Sequence, residues 1–290
     1  MPAREAQVVS REWLHEHLDD PTVRVLQVDD DEFAFEMGHV PGARYVCWHA
    51  KLTSTQSRDV LGAVAFAGLM DTLEVDPGTT VVVYGDQMNL WAAYAWWVLR
   101  LWGHPKVCLL DGGYASWARA GLPMVSGRAS DPPRASARHP ARATYPVPRG
   151  QHDGMRARRA DVEAALTGGR TVVIDVRSPA GYNGQVPLGG ISAPVTGAIR
   201  GGHIPGALSL PWGSLVDPDT GLLLPAKELA VLAAEAGVPF ERPLIAYCEL
   251  GASSALACLV LGEILGHPAV ANYDGSWLEW AATIGLPLAL

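Results

Sequence analysis

Cys248 stands at a point in the sequence where a nucleophile can be presented to a substrate. It follows the apolar run Leu244–Tyr247, which has the length of a buried strand, and precedes the loop Glu249–Ser253 and an apolar helical stretch. Backbone N–H groups in such a strand-to-helix turn can surround the sulfur and favour the thiolate over the thiol. Gly251 would relieve the steric limits on the loop. The pattern predicts nucleophilic chemistry at sulfur.

The other three cysteines are predicted to be packing residues. Cys258 falls within the apolar helix, Cys108 within a predicted strand, and Cys47 just after the segment GHVPGA. The four cysteines lack the paired close spacing of a zinc site, and they are too few for a disulfide framework. The sequence therefore predicts neither a metal nor disulfides.

The elements around Cys248 have a counterpart earlier in the chain. GHVPGA at residues 38–43 returns as GHIPGA at residues 202–207, an offset of 164. VVVYG, ending at Gly85, aligns with LIAYC, ending at Cys248, at an offset of 163. A period this long implies a whole domain per copy rather than a solenoid repeat. Because glycine has no side chain, only the second copy is predicted to hold a nucleophile.

Each copy alternates short strand-like runs with longer helical stretches, which predicts parallel crossovers. The fold expected is α/β, with two domains that are each a parallel sheet flanked by helices. The strands are predicted at Val81–Tyr84, Val107–Leu110, Thr171–Ile174 and Leu244–Tyr247, and helices at Leu90–Leu101 and Ser254–Leu265. A segment rich in proline and arginine, residues 126–150, is expected to link domains at 1–125 and 151–290.

Composition narrows the classes of function. The 290 residues are 49% hydrophobic and carry a formal net charge of −8, which fits globular domains and argues against general attraction to nucleic acid or anionic membranes. The start of the chain has no signal-peptide core, and the most apolar stretch, Leu90–Trp102, contains Arg100 and is too short to span a bilayer. These features predict a soluble cytoplasmic protein.

Several motifs, in order and in both copies, resemble the tandem-domain rhodanese family of thiosulfate and 3-mercaptopyruvate sulfurtransferases over nearly the whole chain. They are GHIPGA, DVRSPAGYNG at 175–184, the loop after Cys248, NYDGSW at 272–277, and YGDQMNLWAAYAWW with GHPKVCLLDGG in the first copy. The resemblance implies that a thiolate takes a sulfane sulfur from a donor, holds it as a persulfide and passes it to a thiophilic acceptor. It thus implies a transferase that needs no cofactor, with a small-molecule donor and acceptor or a sulfur-carrier protein as partners.

Carried onto this sequence, the resemblance makes Cys248 the persulfide carrier. The substrate-binding residues expected are Glu249, Leu250, Gly251, Ala252, Ser253 and Ser254, whose amides form the cradle, together with Arg177 and Arg200. His39 and His203 recur in both copies, although one copy has no nucleophile, which favours a structural role. Asp175 and Arg177 are expected to form a charged pair that supports the fold, with a substrate contact by Arg177 as the alternative.

The sequence departs from the family at two positions. Glu249 stands where thiosulfate-using members commonly have arginine or lysine, and Gly181 stands where the family's DxRxxxR[FY]xG pattern has its later arginine. No lysine or arginine occurs between Pro243 and Leu290. Glu249 either points into solvent or raises the pKa of the thiol by like-charge repulsion. Arg177, Arg200 or a linker arginine could compensate for the missing cations.

Alternatives to the thiosulfate reaction remain open at this stage. Thiosulfate is the default donor, and 3-mercaptopyruvate or a protein persulfide in a sulfur relay are alternatives, as is a scaffold without catalysis. Phosphatase chemistry is disfavoured, since the arginine it requires six positions after the cysteine is Ser254 here. The sequence leaves the acceptor and the oligomeric state open.

Overall fold

The computed structural model describes residues 7–54, 56–128, 144–185 and 200–290. The chain divides into two compact units, Met1–His152 with Pro218–Leu222, and Asp153–Asp217 with Leu223–Leu290. Residues 129–143, the larger part of the predicted linker, lie outside the described residues, so the linker at 126–150 remains a proposal.

The first unit is built on a parallel sheet of five strands. Their order across the sheet is β1, β5, β4, β2, β3. The strands are β1 (Val8–Val9), β2 (Val23–Asp29), β3 (Arg44–Cys47), β4 (Thr80–Tyr84) and β5 (Val107–Leu110). The helices are α1 (Arg11–Glu16), α2 (Phe33–Met37), α3 (Trp48–Lys51), α4 (Ala63–Thr72), α5 (Leu90–Leu101) and α6 (Gly113–Arg119), with a short 3₁₀ turn at Gln87–Asn89.

The second unit repeats this arrangement, with its parallel strands in the order β6, β10, β9, β7, β8. The strands are β6 (Arg156–Ala157), β7 (Val172–Asp175), β8 (Leu208–Ser209), β9 (Leu244–Tyr247) and β10 (Val270–Tyr273). The helices are α7 (Arg159–Gly168), α8 (Pro179–Tyr182), α9 (Ala226–Glu235), α10 (Ala252–Cys258) and α11 (Ser276–Ala282), with a 3₁₀ turn at Trp212–Leu215 and a π-helical segment, Leu259–Ile264, that continues α10.

The two central strands show why the sequence folds this way. All four residues of β9 are buried, as are Val81–Tyr84 of β4, since a strand covered by helices on both faces reads as a continuous apolar run. The predicted α5 is confirmed, whereas α10 begins at Ala252, two residues before the predicted start. The α/β fold with two parallel sheets is confirmed.

Each unit has its own core and the same closing contacts. The indole N–H of Trp117 donates to the Pro123 carbonyl at 2.9 Å in the first unit, and that of Trp280 donates to Pro287 at 2.9 Å in the second. Both tryptophans are at most 1% exposed, so the matched bonds anchor the chain after α6 and after α11. No helix of the described part is both long and apolar enough to cross a membrane.

Candidate active site

Cys248 directly follows β9 and is 2% exposed. Its Sγ accepts a hydrogen bond from the backbone N–H of Gly251 at 3.1 Å, and the Ser254 hydroxyl lies 3.5 Å away. Of the predicted cradle amides from Glu249 to Ser254, the described geometry brings that of Gly251 within bonding distance of the sulfur. The site therefore places a fixed donor against the sulfur, where a thiolate's charge would sit.

Gly251 determines the shape of the loop. Its φ is +90°, and a Cβ at this position would lie 2.7 Å from the Cα of Asp274 and 2.8 Å from its carbonyl oxygen. A side chain is excluded both by conformation and by space. Asp274 is itself held by a bidentate ion pair with Arg156, at 2.8 and 2.7 Å, so the loop rests on a fixed neighbour.

Ser276, at the start of α11, was not identified from the sequence. Its hydroxyl oxygen accepts the N–H of Cys248 at 3.1 Å and donates to the Tyr273 carbonyl at 2.7 Å. The residue is fully buried, and its φ of +53° is uncommon outside glycine. Its counterpart in the first unit is Gly113, with a φ of +54°. The sequence signal that could have indicated Ser276 is that a serine in the second copy aligns with a glycine in the first.

A second buried contact supports the loop from β10. Asn272 donates through Nδ2 to the Gly251 carbonyl at 2.9 Å, and its Oδ1 lies 2.7 Å from the Ser254 hydroxyl. Since a hydroxyl has one proton, Ser254 donates to Asn272 in this arrangement rather than to the more distant sulfur. Asn272, also missed from the sequence, thus positions both sides of the loop.

Arg177 and Asp175 form a buried ion pair. The guanidinium bonds both carboxylate oxygens of Asp175, at 2.6 Å for Nη2 to Oδ2, and donates to the Gly202 carbonyl at 2.7 Å. Its carbon lies 4.2 Å from the ring centre of Trp277, and the Tyr247 hydroxyl donates to Asp175 at 2.5 Å. This is the fold-supporting arrangement expected from the sequence. A contact between Arg177 and substrate stays a prediction.

Glu249 does not point freely into solvent, which corrects one of the two expectations for it. The side chain is half-buried, and burial raises its pKa to about 7, although nearby Arg177 acts to lower the value and Asp175 to raise it. A Cβ built on Gly181 would lie 3.8 Å from its Oε1. The two departures from the family are therefore neighbours in space, and the carboxylate faces the position of the missing arginine.

Of the remaining predicted site residues, Leu250, Ala252 and Ser253 lie in or next to the loop after Cys248, whereas Arg200 binds the end of α11. Leu250 is half-buried in the loop, and Ala252 and Ser253 are buried in the first turn of α10. Arg200 donates to four backbone carbonyls at and beyond the end of α11, namely Trp280, Ala281, Thr283 and Leu286, at 2.8–3.3 Å. These bonds commit its guanidinium to the helix end, so its predicted role in substrate binding has no direct support.

The histidines of the two GHxPGA segments are arranged alike. His39 stacks on Phe35 with ring centres 3.6 Å apart, and His203 stacks on Tyr182 at 3.7 Å. In each case Nδ1 bonds the backbone carbonyl of the same aromatic residue, at 2.8 and 3.1 Å. The geometry is the same in the unit that holds Cys248 and in the unit that has Gly85 at the matching position, which supports the structural role.

The other cysteines differ from one another. Cys108 and Cys258 are buried, and burial raises the pKa of both thiols, that of Cys108 to about 11. Their packing role is confirmed. Cys47 is half-exposed and contacts polar side chains, so its prediction as a core residue is wrong.

Two segments of the chain, residues 10–120 and 159–283, match the Rhodanese-like domain family. The chain belongs to the rhodanese family. Each segment spans four of the five strands of one sheet, so each unit is one rhodanese-like domain, as predicted.

Full-length relatives carry sulfur-transfer names. The chain is 39% identical to the Thermus thermophilus "Sulfur carrier protein TtuD" over 97% of this chain and 96% of that protein. It is 36% identical to a Mycolicibacterium smegmatis protein named "Putative thiosulfate sulfurtransferase", covering 99% of both. The crystal structure of SseA from Escherichia coli, described with the 3-mercaptopyruvate sulfotransferases, superposes with a TM-score of 0.77 at 29% identity, covering 94% of this chain and 99% of SseA. The prediction of a rhodanese-type sulfurtransferase is confirmed at the level of the family.

Proposed function

We propose that this rhodanese-family protein transfers sulfane sulfur through a persulfide on Cys248. The observation that carries the proposal is the 3.1 Å hydrogen bond from the Gly251 N–H to the Cys248 sulfur, in a loop that only glycine can form. The bond places a donor against the sulfur that attacks the donor compound as a thiolate. In the described first unit the matching position is Gly85, so the second unit carries the reaction.

With thiosulfate as donor, the Cys248 thiolate attacks the outer sulfur. A new S–S bond forms, the S–S bond of thiosulfate breaks, and sulfite leaves with the electron pair. A nucleophilic acceptor then attacks the outer persulfide sulfur and releases the Cys248 thiolate. Neither step calls for a metal or organic cofactor, because sulfur itself is nucleophile, carrier and leaving group.

Glu249 favours a second class of donor. A half-buried carboxylate next to Cys248 repels a dianion more than it repels a singly charged or neutral compound. Thiosulfate remains the default from the names of the relatives, and 3-mercaptopyruvate or a protein persulfide is the alternative. The relative named as a sulfur carrier protein supports a protein partner in a sulfur relay.

Persulfide formation tests the proposal directly. The full-length protein is incubated with thiosulfate, 3-mercaptopyruvate or a persulfidated protein, and peptides are analysed by mass spectrometry. We expect one added sulfur atom on Cys248 and loss of transfer to cyanide or a thiol in Cys248→Ser. Cys47→Ser, at a half-exposed thiol of the first unit, is the matched control and keeps the activity. Transfer by Cys248→Ser at the parent rate would refute the assignment.

The donor is identified by reversing the charge at position 249. In Glu249→Arg we expect the rate with thiosulfate to rise relative to the rate with 3-mercaptopyruvate, since the substituted side chain attracts the dianion. Circular dichroism checks that the variant is folded. An unchanged ratio of the two rates would show that Glu249 does not select the donor.

The cytoplasm is the compartment we propose for the reaction. All four cysteines are free, including the half-exposed Cys47. Exposed thiols persist in reducing compartments, whereas in oxidising compartments they are converted to disulfides. The free thiols therefore support a cytoplasmic location, and this proposal is independent of the sulfur-transfer reaction.

A further inference from the structure

Cys47 lies at the end of β3 in the first unit, among groups that suit a reactive thiol. Its Sγ is 3.5 Å from Nδ1 and 3.6 Å from Nε2 of His49. The His49 Nδ1 is in turn 3.5 Å from Oδ1 of Asp30. The imidazole of His49 thus contacts both the Cys47 thiol and the Asp30 carboxylate, and the thiol itself lies 3.5 Å from the backbone carbonyl oxygen of Asp30. These residues lie at and just after the ends of two adjacent parallel strands.

The carboxylate of this cluster is held by a packed side chain. The indole N–H of Trp48 donates to Asp30, and the Trp48 ring stacks on buried Trp91 with ring centres 4.2 Å apart. The side chains of His49 and Asp30 are 54% and 40% exposed, so a small reagent in solution can reach them. The cluster combines a fixed carboxylate with an accessible thiol and imidazole.

We propose that Cys47, His49 and Asp30 form a second nucleophilic site, which reacts with small organic disulfides by thiol–disulfide exchange. The imidazole takes the thiol proton and pairs with the thiolate, as neighbouring cationic groups do at reactive cysteines. Asp30 stabilises the resulting imidazolium. The site lies in the unit without the Cys248 nucleophile and does not depend on the proposed sulfur-transfer reaction.

The exchange balances without another reagent. The Cys47 thiolate attacks one sulfur of the disulfide RSSR, and a protein mixed disulfide forms as the S–S bond of RSSR breaks. Cys47 is oxidised, and the leaving thiolate carries the electron pair and takes the proton from His49. The disulfide is therefore the oxidant.

Charge around the thiol selects the disulfide. Asp29, Asp30 and Asp31 lie at and just after the end of β2. Tyr45 of β3 interacts electrostatically with the Cys47 thiol and with the carboxylates of Asp29 and Asp31. Burial raises the pKa of Tyr45, so it stays neutral. His49 is the one cation of this group when protonated. A disulfide with ammonium groups should react faster than one with carboxylates.

The test compares cystamine with 3,3′-dithiodipropionate on the full-length protein near neutral pH. Peptide mass spectrometry follows the mixed disulfide at each cysteine over time. We expect modification of Cys47 with cystamine, more slowly with dithiodipropionate, and none at buried Cys108. In His49→Gln the rate at Cys47 should fall by about tenfold or more, because the base that takes the thiol proton is lost. His15→Gln, an exposed histidine elsewhere in this unit, is the matched control and keeps the parent rate.

Asp30→Asn separates charge from folding, because the amide oxygen can still accept the Trp48 indole N–H. We expect a slower reaction and a smaller preference for cystamine, with an unchanged melting temperature. Equal rates at Cys47 in the parent and His49→Gln would overturn the proposal, as would a Cys47 that stays unmodified by cystamine. Equal rates with the two disulfides would overturn the assignment of a cationic reagent.

Discussion

The two units have the same sheet and differ where the central strand ends. In the first unit Gly85 follows β4, and its N–H donates to the Asn89 side chain at 3.0 Å. In the second unit Cys248 follows β9, and its N–H donates to the Ser276 hydroxyl at 3.1 Å. The N–H at this position is hydrogen-bonded in both units. Its partner is a residue of the following loop in the first unit and the first residue of α11 in the second. The same fold therefore ends its central strand in a glycine in one unit and in a buried cysteine in the other.

The loops that follow differ in backbone conformation. In the first unit Gln87, Met88 and Asn89 all have positive φ, at 49°, 56° and 65°. In the second unit, among residues 249–254, positive φ falls on Gly251, which adopts it without steric cost. The first loop therefore places non-glycine residues in a conformation they rarely adopt. In the second loop the N–H of Gly251 donates to the sulfur of Cys248, the residue that follows the central strand.

The charge on the neighbouring strand is also different. Asp175 of β7 pairs in register with Tyr247 and binds Arg177, two residues later. At the matching positions Gln27 pairs with Tyr84 and its amide donates to Asp29 at 2.9 Å. Burial raises the pKa of Asp29 to about 6. The second unit thus has a buried cation where the first has a carboxylate.

The largest expected effect on stability comes from breaking the buried ion pair. Asp175→Ala leaves the Arg177 guanidinium buried without its counter-ion and should cost about 3–5 kcal/mol. The matched change Gln27→Ala in the first unit removes the hydrogen bonds of an uncharged side chain to Tyr84 and Asp29 and should cost about 1–3 kcal/mol. Denaturant unfolding measures both. Equal costs would show that charge does not distinguish the two strand ends.

Adding a thiol to the first unit is the next test. A Cβ on Gly85 would lie 2.4 Å from the Val28 carbonyl oxygen, so Gly85→Cys should destabilise the protein by about 1–3 kcal/mol. It should acquire no persulfide, because the loop supplies no matching N–H. Mass spectrometry after thiosulfate treatment, in a Cys248→Ser background, gives the answer. Persulfide on the introduced cysteine would show that the residue at this position alone decides which unit can carry sulfur.

Ser276 offers a comparison with its glycine counterpart. Ser276→Ala loses both hydroxyl bonds and keeps the left-handed backbone, whereas Ser276→Gly loses the bonds and relieves the backbone. We expect the alanine variant to be the less stable by about 1 kcal/mol, and both variants to form persulfide more slowly. Thermal unfolding and single-turnover kinetics provide the two readouts. If both variants formed persulfide at the parent rate, Ser276 would not be needed to position Cys248.

The smallest expected effect concerns Glu249 and pH. Burial raises its pKa to about 7, so the carboxyl is neutral below that pH and repels thiosulfate above it. Glu249→Gln should match the parent at about pH 5.5 and react roughly three- to tenfold faster at about pH 8.5. The ratio of the two rates cancels titrations that both proteins share. A ratio that stays constant across this range would contradict the role of Glu249.

Much of this molecule was predictable because its chemistry lies in contiguous sequence. The strand before Cys248 and the glycine three residues after it specify a turn that brings an N–H to the sulfur, and this geometry is local. The offset between the copies likewise predicted the domains, since each repeats the alternation of strand and helix. Ser276 and Asn272 were missed because their contacts with the loop come from strand pairing and the start of a distant helix.

The sequence by itself determined the two α/β domains, the position of the proposed nucleophile Cys248 after a central strand and the absence of basic side chains from its last 48 residues. Only the tertiary structure decided which polar groups meet. It placed half-buried Glu249 opposite Gly181, bound the Arg200 guanidinium to carbonyls at a helix end and brought Asp30 to His49 beside Cys47. These contacts join residues on separate elements, and their distances follow from packing and register, which residue types and spacing do not specify.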